Sequence, residues 1–289
     1  MWLADSPDHQ RRISEITLRA KLARSVLISG IAWQLMMQNP DLADAGKAAS
    51  AAGGLISLTQ QQVRFFQCFG FLRIPGVFSG EELERIEAGF EEMFVGHDDP
   101  ARDDVMYIKE SPLHTDARLH DDPHRYIIAN FLERSESLGW LRDDPRIQAI
   151  PRALIGDKYE PASSEGSLFY CETSWHPDFY QATMEQFHIK ISLYLESLRG
   201  DSGAIRVLPG SQFHDETYNQ RLRWMMFSDT DKIRDHFGVE ADELPSHTVD
   251  TNAGDLVVWD YRVIHASFRG GPRRRLLSIN FREPESKGE

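Results

Sequence analysis

The hydrophobic pattern changes its period near Gly166, and that change restricts the possible folds more than any other feature of the chain. Before it, apolar residues recur at helical spacing in stretches opened by capping residues. After it they come in short β-branched or aromatic runs bounded by Gly, Pro or Asp. The runs Ser167–Thr173, Gln186–Leu195, Ala204–Leu208, Ser246–Val249, Asp255–Tyr261 and Leu276–Arg282 read as strands. Helices first and many short strands afterwards predict an α+β chain with a mainly β core, an antiparallel barrel or sandwich with flanking helices. No internal repeat is visible.

The helical half divides in two. In residues 11–38, Ile13, Ile16, Leu18, Leu22, Val26, Leu27, Ile31 and Leu35 recur at near-helical spacing, and Pro40 ends the run. The Ala/Gly-rich residues 43–54 read as a linker. The division expected is therefore 1–57, an N-terminal helix and linker, and 58–289, the main domain. The helix is expected to pack on that domain or on a second subunit as a homodimer contact. Thr59 can cap a helix through Cys68, with Gly70 at its C-terminal end, and a short strand Phe71–Ile74 follows. Ser79-Gly80-Glu81-Glu82 has capping-box spacing and opens a helix to about Phe94. Residues 97–124, rich in Asp, His and Pro, read as one long loop. Asp144–Ile155 reads as a helix stopped by Gly156.

Charge and cysteine content narrow the function. The chain has 45 acidic against 32 basic residues, a formal net charge of −13. That balance speaks against general binding of nucleic acid or anionic membrane, both of which need a basic surface. The two cysteines, Cys68 and Cys171, have no CxxC spacing, so neither a disulfide framework nor a cysteine-based zinc site is expected. The residues MWLADSPDHQRR lack the basic-then-apolar order of a secretory signal, and the uncharged stretch Ser25–Pro40 is too short to span a bilayer. A cytoplasmic protein without membrane insertion is the expectation.

The chemistry concentrates in His176-Pro177-Asp178 and His265. Two imidazoles and one carboxylate suit iron(II), which also needs open positions for the molecules it activates. In extended chain His176 and Asp178 point to one face, and His265 completes the set. A second His-x-Asp, His114-Thr115-Asp116, sits in charged loop sequence without a strand on either side, so the 176/178 pair is preferred. Arg273, Arg274 and Arg275 follow His265, and arginine presents a planar fork that matches a carboxylate. In the strand that follows, Arg275, Leu277, Ile279 and Phe281 share an apolar face; Arg274, Leu276, Ser278 and Asn280 share a mixed one. A pocket inside a barrel takes the mixed face, which favours Arg274, with Arg275 as the alternative.

These residues, taken with others, resemble the phytanoyl-CoA dioxygenase family of iron(II)/2-oxoglutarate oxygenases over residues 58–285. Gly70-Phe71-Leu72-Arg73-Ile74-Pro75-Gly76 with Ser79 to Leu83 is similar to its opening segment. His176-Pro177-Asp178 matches its His-x-Asp. Ser202 to Ser211 is similar to its NGxLxVxPGSH stretch, and Gly254-Asp255-Leu256, His265-Ala266-Ser267 and Arg274 match its ending. The resemblance implies a double-stranded β-helix of jelly-roll, cupin-like form. It implies iron(II) on His176, Asp178 and His265 as the catalytic and metal residues. It also implies 2-oxoglutarate bound by Arg274 with help from Ser267, and O2 as co-reactant. Gln212 stands where the family has a histidine, and the His265–Arg274 spacing is short for the family, which keeps Arg275 open. Related halogenases have a small residue at the position of Asp178, so its carboxylate implies oxidation rather than halogenation.

The expected reaction is hydroxylation of an unactivated C–H bond in a small organic substrate, releasing succinate and CO2. A zinc-type hydrolase, which has no need of the arginine after His265, and a non-catalytic ligand-binding barrel, which could lose the ligands, are the alternatives. Tyr218–Leu244, with Leu222, Trp224, Met225, Met226 and Phe227, reads either as a lid over the substrate or as a packing helix. The stretch His188–Tyr194 puts His188, Lys190, Ser192 and Tyr194 on one face, towards the cosubstrate, and Ile189, Ile191 and Leu193 on the core face.

Overall fold

The computed structural model describes residues 57–108, 125–178, 186–213, 217–228, 231–270 and 273–285. The helix expected over 11–38, the linker at 43–54 and the pair His114/Asp116 lie outside them.

Helix α1 (Gln60–Phe69) starts where Thr59 accepts from the Gln62 amide while the Gln62 side chain accepts from the Thr59 amide. It stops at Gly70, whose φ of 79° places it in the left-handed region that glycine enters without strain. Strand β1 (Phe71–Ile74) follows, then α2 (Gly80–Met93). Ser79 is the N-cap of α2, but its side chain makes no capping bond. The expected capping box fails because Glu82 is engaged elsewhere: both its oxygens accept from Arg146, at 2.9 and 2.6 Å. Arg146 also bonds Asp144, the N-cap of α4 (Pro145–Leu154), so one guanidinium joins the starts of two helices.

Between them lie β2 (Met106–Ile108), β3 (Arg125–Ala129) and the short α3 (Phe131–Arg134). Strand β2 corrects the reading of 97–124 as loop throughout. Met106-Tyr107-Ile108 is too brief to show a period, and it pairs with β3 at the edge of a sheet. The later strands are β4 (Glu160–Phe169), β5 (Thr173–His176), β6 (His188–Tyr194), β7 (Ile205–Val207), β8 (His247–Val249), β9 (Leu256–Asp260), β10 (His265–Ser267) and β11 (Arg274–Arg282). The single strand expected over Ser167–Thr173 is really the end of β4, a turn, and the first residue of β5, which belongs to the other sheet. His265 opens β10.

Two antiparallel sheets result. The larger has the order β1-β9-β6-β11-β4-β3-β2 and the smaller β5-β10-β7-β8. This is the double-stranded β-helix with helices outside. Period-2 alternation assigns the faces of the larger sheet. Ile189, Ile191 and Leu193 of β6, with Leu277, Ile279 and Phe281 of β11, pack with Phe65, Phe66, Ile86, Phe90, Ile147 and Ile150 of the helices. Each such side chain, taken wholly out of water, stabilises the fold by about 1.5–3 kcal/mol. The outer face of the smaller sheet carries Trp175, Ala266, Ile264 and Phe268. It is covered by α5 (Thr217–Ser228) and α6 (Asp231–Phe237) through Leu222 and Ile233. Of the two readings of this stretch, Leu222 takes the packing one: α5 lies on the outside, and among its residues with described side chains Trp224 is well exposed. The space between the inner faces remains for the site.

Candidate active site between the two sheets

Strand β5 is brief because Pro177 cannot donate a ladder hydrogen bond. Trp175 points outward, its indole N–H donating to the Ala241 carbonyl at 2.7 Å, so His176 on the next position points inward. Across the ladder His176 stands directly opposite His265 of β10, with ring centroids 4.3 Å apart. Asp178 lies just past the end of β5. One donor atom from each of His176, Asp178 and His265 falls within 4.8 Å of the others.

The protonation states suit a cation. The Nδ1 of His176 lies 2.6 Å from the Ser174 carbonyl, and that of His265 lies 3.0 Å from the Val263 carbonyl. A carbonyl only accepts, so each Nδ1 carries the proton and each Nε2 lone pair is free. Burial disfavours the charged imidazolium, and with the neighbouring His265 it pushes the pKa of His176 down to about 3; burial lowers that of His265 as well. Asp178 is the reverse case. Burial pulls its pKa up, but the charge of Lys190 and the hydrogen bond from it outweigh that and hold the carboxyl well below the usual range. Its Oδ1 accepts from Lys190 Nζ at 2.8 Å and its Oδ2 from the Trp259 indole N–H at 2.7 Å. Two neutral imidazoles and one fixed carboxylate are the donor set iron(II) takes, so the residues present fit that ion.

A cavity runs from the triad to Arg274, bounded by Phe169, Thr173, Tyr194, Leu198 and Ile205. Arg274, the first residue of β11, is buried on the inner face, at 6% exposure. Its Nη1 donates to the Gly203 carbonyl and to Ser267 Oγ, and its Nη2 to the Cys171 carbonyl. Of five N–H groups, three are used. The buried Nε has no partner among the described residues, so this side chain still has donors for a carboxylate. Gly203 and Gly270 make its position possible: a Cβ at Gly270 would lie 2.7 Å from Arg274 Nε, and one at Gly203 2.8 Å from its Cδ. Ser267 Oγ donates to the Gly203 carbonyl at 2.9 Å and so sits beside Arg274. Arg275 turns to the opposite face, where it pairs with Glu196, Glu91 and Glu87. Arg273 pairs with Glu91 on the surface.

Three residues that line the site escaped the sequence reading or were only partly seen by it. Trp259 sits in β9, where every residue is buried, so no alternation marks the inward ones. Arg125 opens β3 and reaches Glu165 and Ser167 from the next strand. Lys190 was legible as inward-facing, but its bond to Asp178 depends on how the chain turns after Pro177. Burial raises the pKa of Cys171 to about 11, which leaves its thiol protonated and unreactive.

The sequence profile of the phytanoyl-CoA dioxygenase (PhyH) family matches residues 66–275. No curated protein matches the chain by sequence. Among solved structures, EvdMO1 superposes with a TM-score of 0.57 at 22% identity, over 77% of this chain and 49% of that one. The match thus spans about half of that protein. The non-haem α-ketoglutarate-dependent carbocyclase SnoK from nogalamycin biosynthesis gives 0.58 at 19% identity, over 80% of this chain and 87% of that one. HygX from Streptomyces hygroscopicus, solved with nickel and 2-oxoglutarate bound, gives 0.56 at 17% identity, over 80% and 89%. At these identities the likeness is one of fold.

Proposed function

The chain belongs to the phytanoyl-CoA dioxygenase family, and from that membership we propose that it is an iron(II)- and 2-oxoglutarate-dependent oxygenase that hydroxylates a C–H bond of a small organic molecule. One observation carries the reading: a His/Asp/His triad and a buried arginine with an unpartnered Nε share one cavity between the two sheets.

When bound, iron(II) and 2-oxoglutarate together supply the oxidant, O2 being consumed and succinate and CO2 released. The chain's own residues do the rest. His176 and His265 offer neutral nitrogens, each fixed in orientation by its backbone carbonyl. Asp178 brings one negative charge, fixed by Lys190 and Trp259. Arg274, steadied by Ser267 and the Gly203 carbonyl, holds the far carboxylate of the cosubstrate, and its depth in the cavity keeps water from competing for it. Among aliphatic and aromatic walls such as Leu198, Ile205 and Phe169, that charge-assisted pairing is stronger than it would be in water.

A zinc-type hydrolase would use the triad but leave Arg274 without a task. A ligand-binding barrel would need neither the depressed histidines nor an ionised Asp178. Oxidation is favoured over halogenation by the family resemblance, since related halogenases have a small residue where this chain has Asp178. SnoK, described as a carbocyclase, shows that this fold can host other oxidative outcomes, so the product must be weighed. The test is an anaerobic titration with iron(II) and 2-oxoglutarate, followed by exposure to O2 with candidate substrates. A charge-transfer absorption band, succinate release and a product one oxygen heavier are expected. His176→Ala should remove the band while the protein stays folded. A folded wild-type protein without the band would sink the oxygenase reading; a product lacking two hydrogens would sink hydroxylation alone.

A further inference from the structure

Lys190 is a buried cation set against the one carboxylate that would face the metal. It lies on the inner face of β6 at 9% exposure, and burying an ammonium is costly unless it is paired. Its partner is Asp178 Oδ1 at 2.8 Å, and the rings of Trp259 and Tyr261 lie 5.7 and 5.9 Å from its Nζ. The nearby Arg125 and Glu165 pair with each other, so they bring no net charge.

The two oxygens of Asp178 face different ways. Oδ2 is 4.0 Å from His265 Nε2, on the triad side, and accepts from the Trp259 indole N–H with further lone-pair capacity left; Oδ1 faces Lys190. An ion held by Oδ2 and the two imidazoles therefore leaves the Lys190–Oδ1 bond in place. We propose that Lys190 is a positioning residue of the metal centre: it holds Asp178 to the ion through Oδ2 alone and, as a fixed positive charge beside it, loosens divalent-metal binding and favours ferrous over ferric iron. This inference rests on the triad being a metal site.

The sign follows from charge. A cation near the ion opposes every metal charge, and it opposes three charges more than two. The buried setting screens this less than water would. A triad with one carboxylate sets a single negative charge against the dication, and Lys190 offsets it. Ferric iron is thus disfavoured before substrate arrives.

The test uses the full chain in wild-type form and as Lys190→Met, Lys190→Gln and Lys190→Arg. Affinity for cobalt(II) and iron(II) is measured by anaerobic titration, and the ferric/ferrous midpoint by spectroelectrochemistry. Gln removes the charge and keeps a donor for Oδ1; Arg keeps both. The Met and Gln proteins are expected to bind the divalent ion at least tenfold more tightly. Their midpoint should fall by at least about 59 mV, the one-electron equivalent of a tenfold change. Arg should stay within threefold of wild type. If the Met protein does not fold, the Gln and Arg pair decides. Neutral variants with unchanged affinity and midpoint overturn the inference, and so does weaker binding, which would make Lys190 a mere prop for Asp178. A wild-type protein that takes up neither ion overturns the metal-site reading beneath it.

Discussion

His176 and His265 are neutral for the reason that makes them useful: the site is too buried to hold two imidazolium charges. The same fact sets a pH dependence. Their pKa values in the folded chain lie below the unfolded value of about 6.5, so between there and about 3 for His176 the unfolded chain binds more protons. Stability is therefore full above pH 6.5 and is lost as pH falls through that window, by about 1.4 kcal/mol per pH unit for His176, with His265 acting in the same direction. Asp178, whose folded pKa is depressed, adds its own loss only lower, as pH falls below the unfolded carboxyl value of about 3.9. In urea titrations of metal-free protein at pH 7 and pH 5, the wild type should lose more stability than His176→Ala. Equal losses would show that His176 is not held neutral. The neighbouring arginines separate just as cleanly. Arg274→Lys keeps charge but not the planar fork, and should weaken 2-oxoglutarate binding by tenfold or more. Arg275→Ala should leave that affinity alone and cost about 1 kcal/mol of stability, since its partners Glu196, Glu91 and Glu87 lie on the other face. Alternation along β11 made this distinction readable from sequence. The partners of Asp178 were not readable, because Lys190 and Trp259 arrive from two other strands and only the sheet register brings them together.

The elements that were legible are those whose signals are local. Thr59, Gly70, Asp144 and the apolar runs of β1, β6 and β9 each announce a start, a stop or a face within a few residues. What could not be read were features fixed by distant partners. Strand β2 exists through pairing with β3, β5 leaves the run of β4 to join another sheet, and the capping role of Ser79 gives way to Arg146's hold on Glu82. Gly254 shows how such long-range packing constrains one turn. It precedes β9 with φ 89°, and a Cβ there would lie 1.9 Å from the Phe78 carbonyl oxygen, while its own carbonyl accepts from the Phe78 amide. Gly254→Ala meets both a strained backbone and a clash with backbone, which cannot rotate away as a side chain could. A loss of at least about 2 kcal/mol in chemical denaturation is expected. Since β9 carries Trp259, the same variant should also bind metal less tightly. A protein of unchanged stability would mean that the β1–β9 edge shifts freely.

At the scale of the molecule, the site is divided between the sheets. The three candidate ligands belong to the smaller sheet, with His176 on β5, Asp178 just after it and His265 on β10. Arg274, Lys190 and Trp259 belong to the larger sheet. In the polypeptide alone, polar contact between the halves of the site rests on Asp178 with Lys190 and Trp259, and on Arg274 with Ser267. A metal ion adds bonds within the smaller sheet. A cosubstrate held by that ion at one end and by Arg274 at the other would tie one sheet to the other. Ligands that bind only the folded state raise its stability by RT ln(1 + [L]/Kd), about 2.7 kcal/mol at a hundredfold excess over Kd. Metal alone should therefore raise the melting temperature. 2-Oxoglutarate alone should do little, since Arg274 by itself holds only one carboxylate. The two together should exceed the sum of their separate shifts, because each completes the site for the other. Differential scanning fluorimetry with cobalt(II), 2-oxoglutarate, both and neither measures all four states, and a chelator should return the protein to its starting melting point. Arg274→Lys should keep the shift from metal and lose the excess, whereas His265→Ala should lose both. Purely additive shifts in the wild type would mean that metal and cosubstrate occupy independent sites, and the division of labour between the two sheets would be wrong.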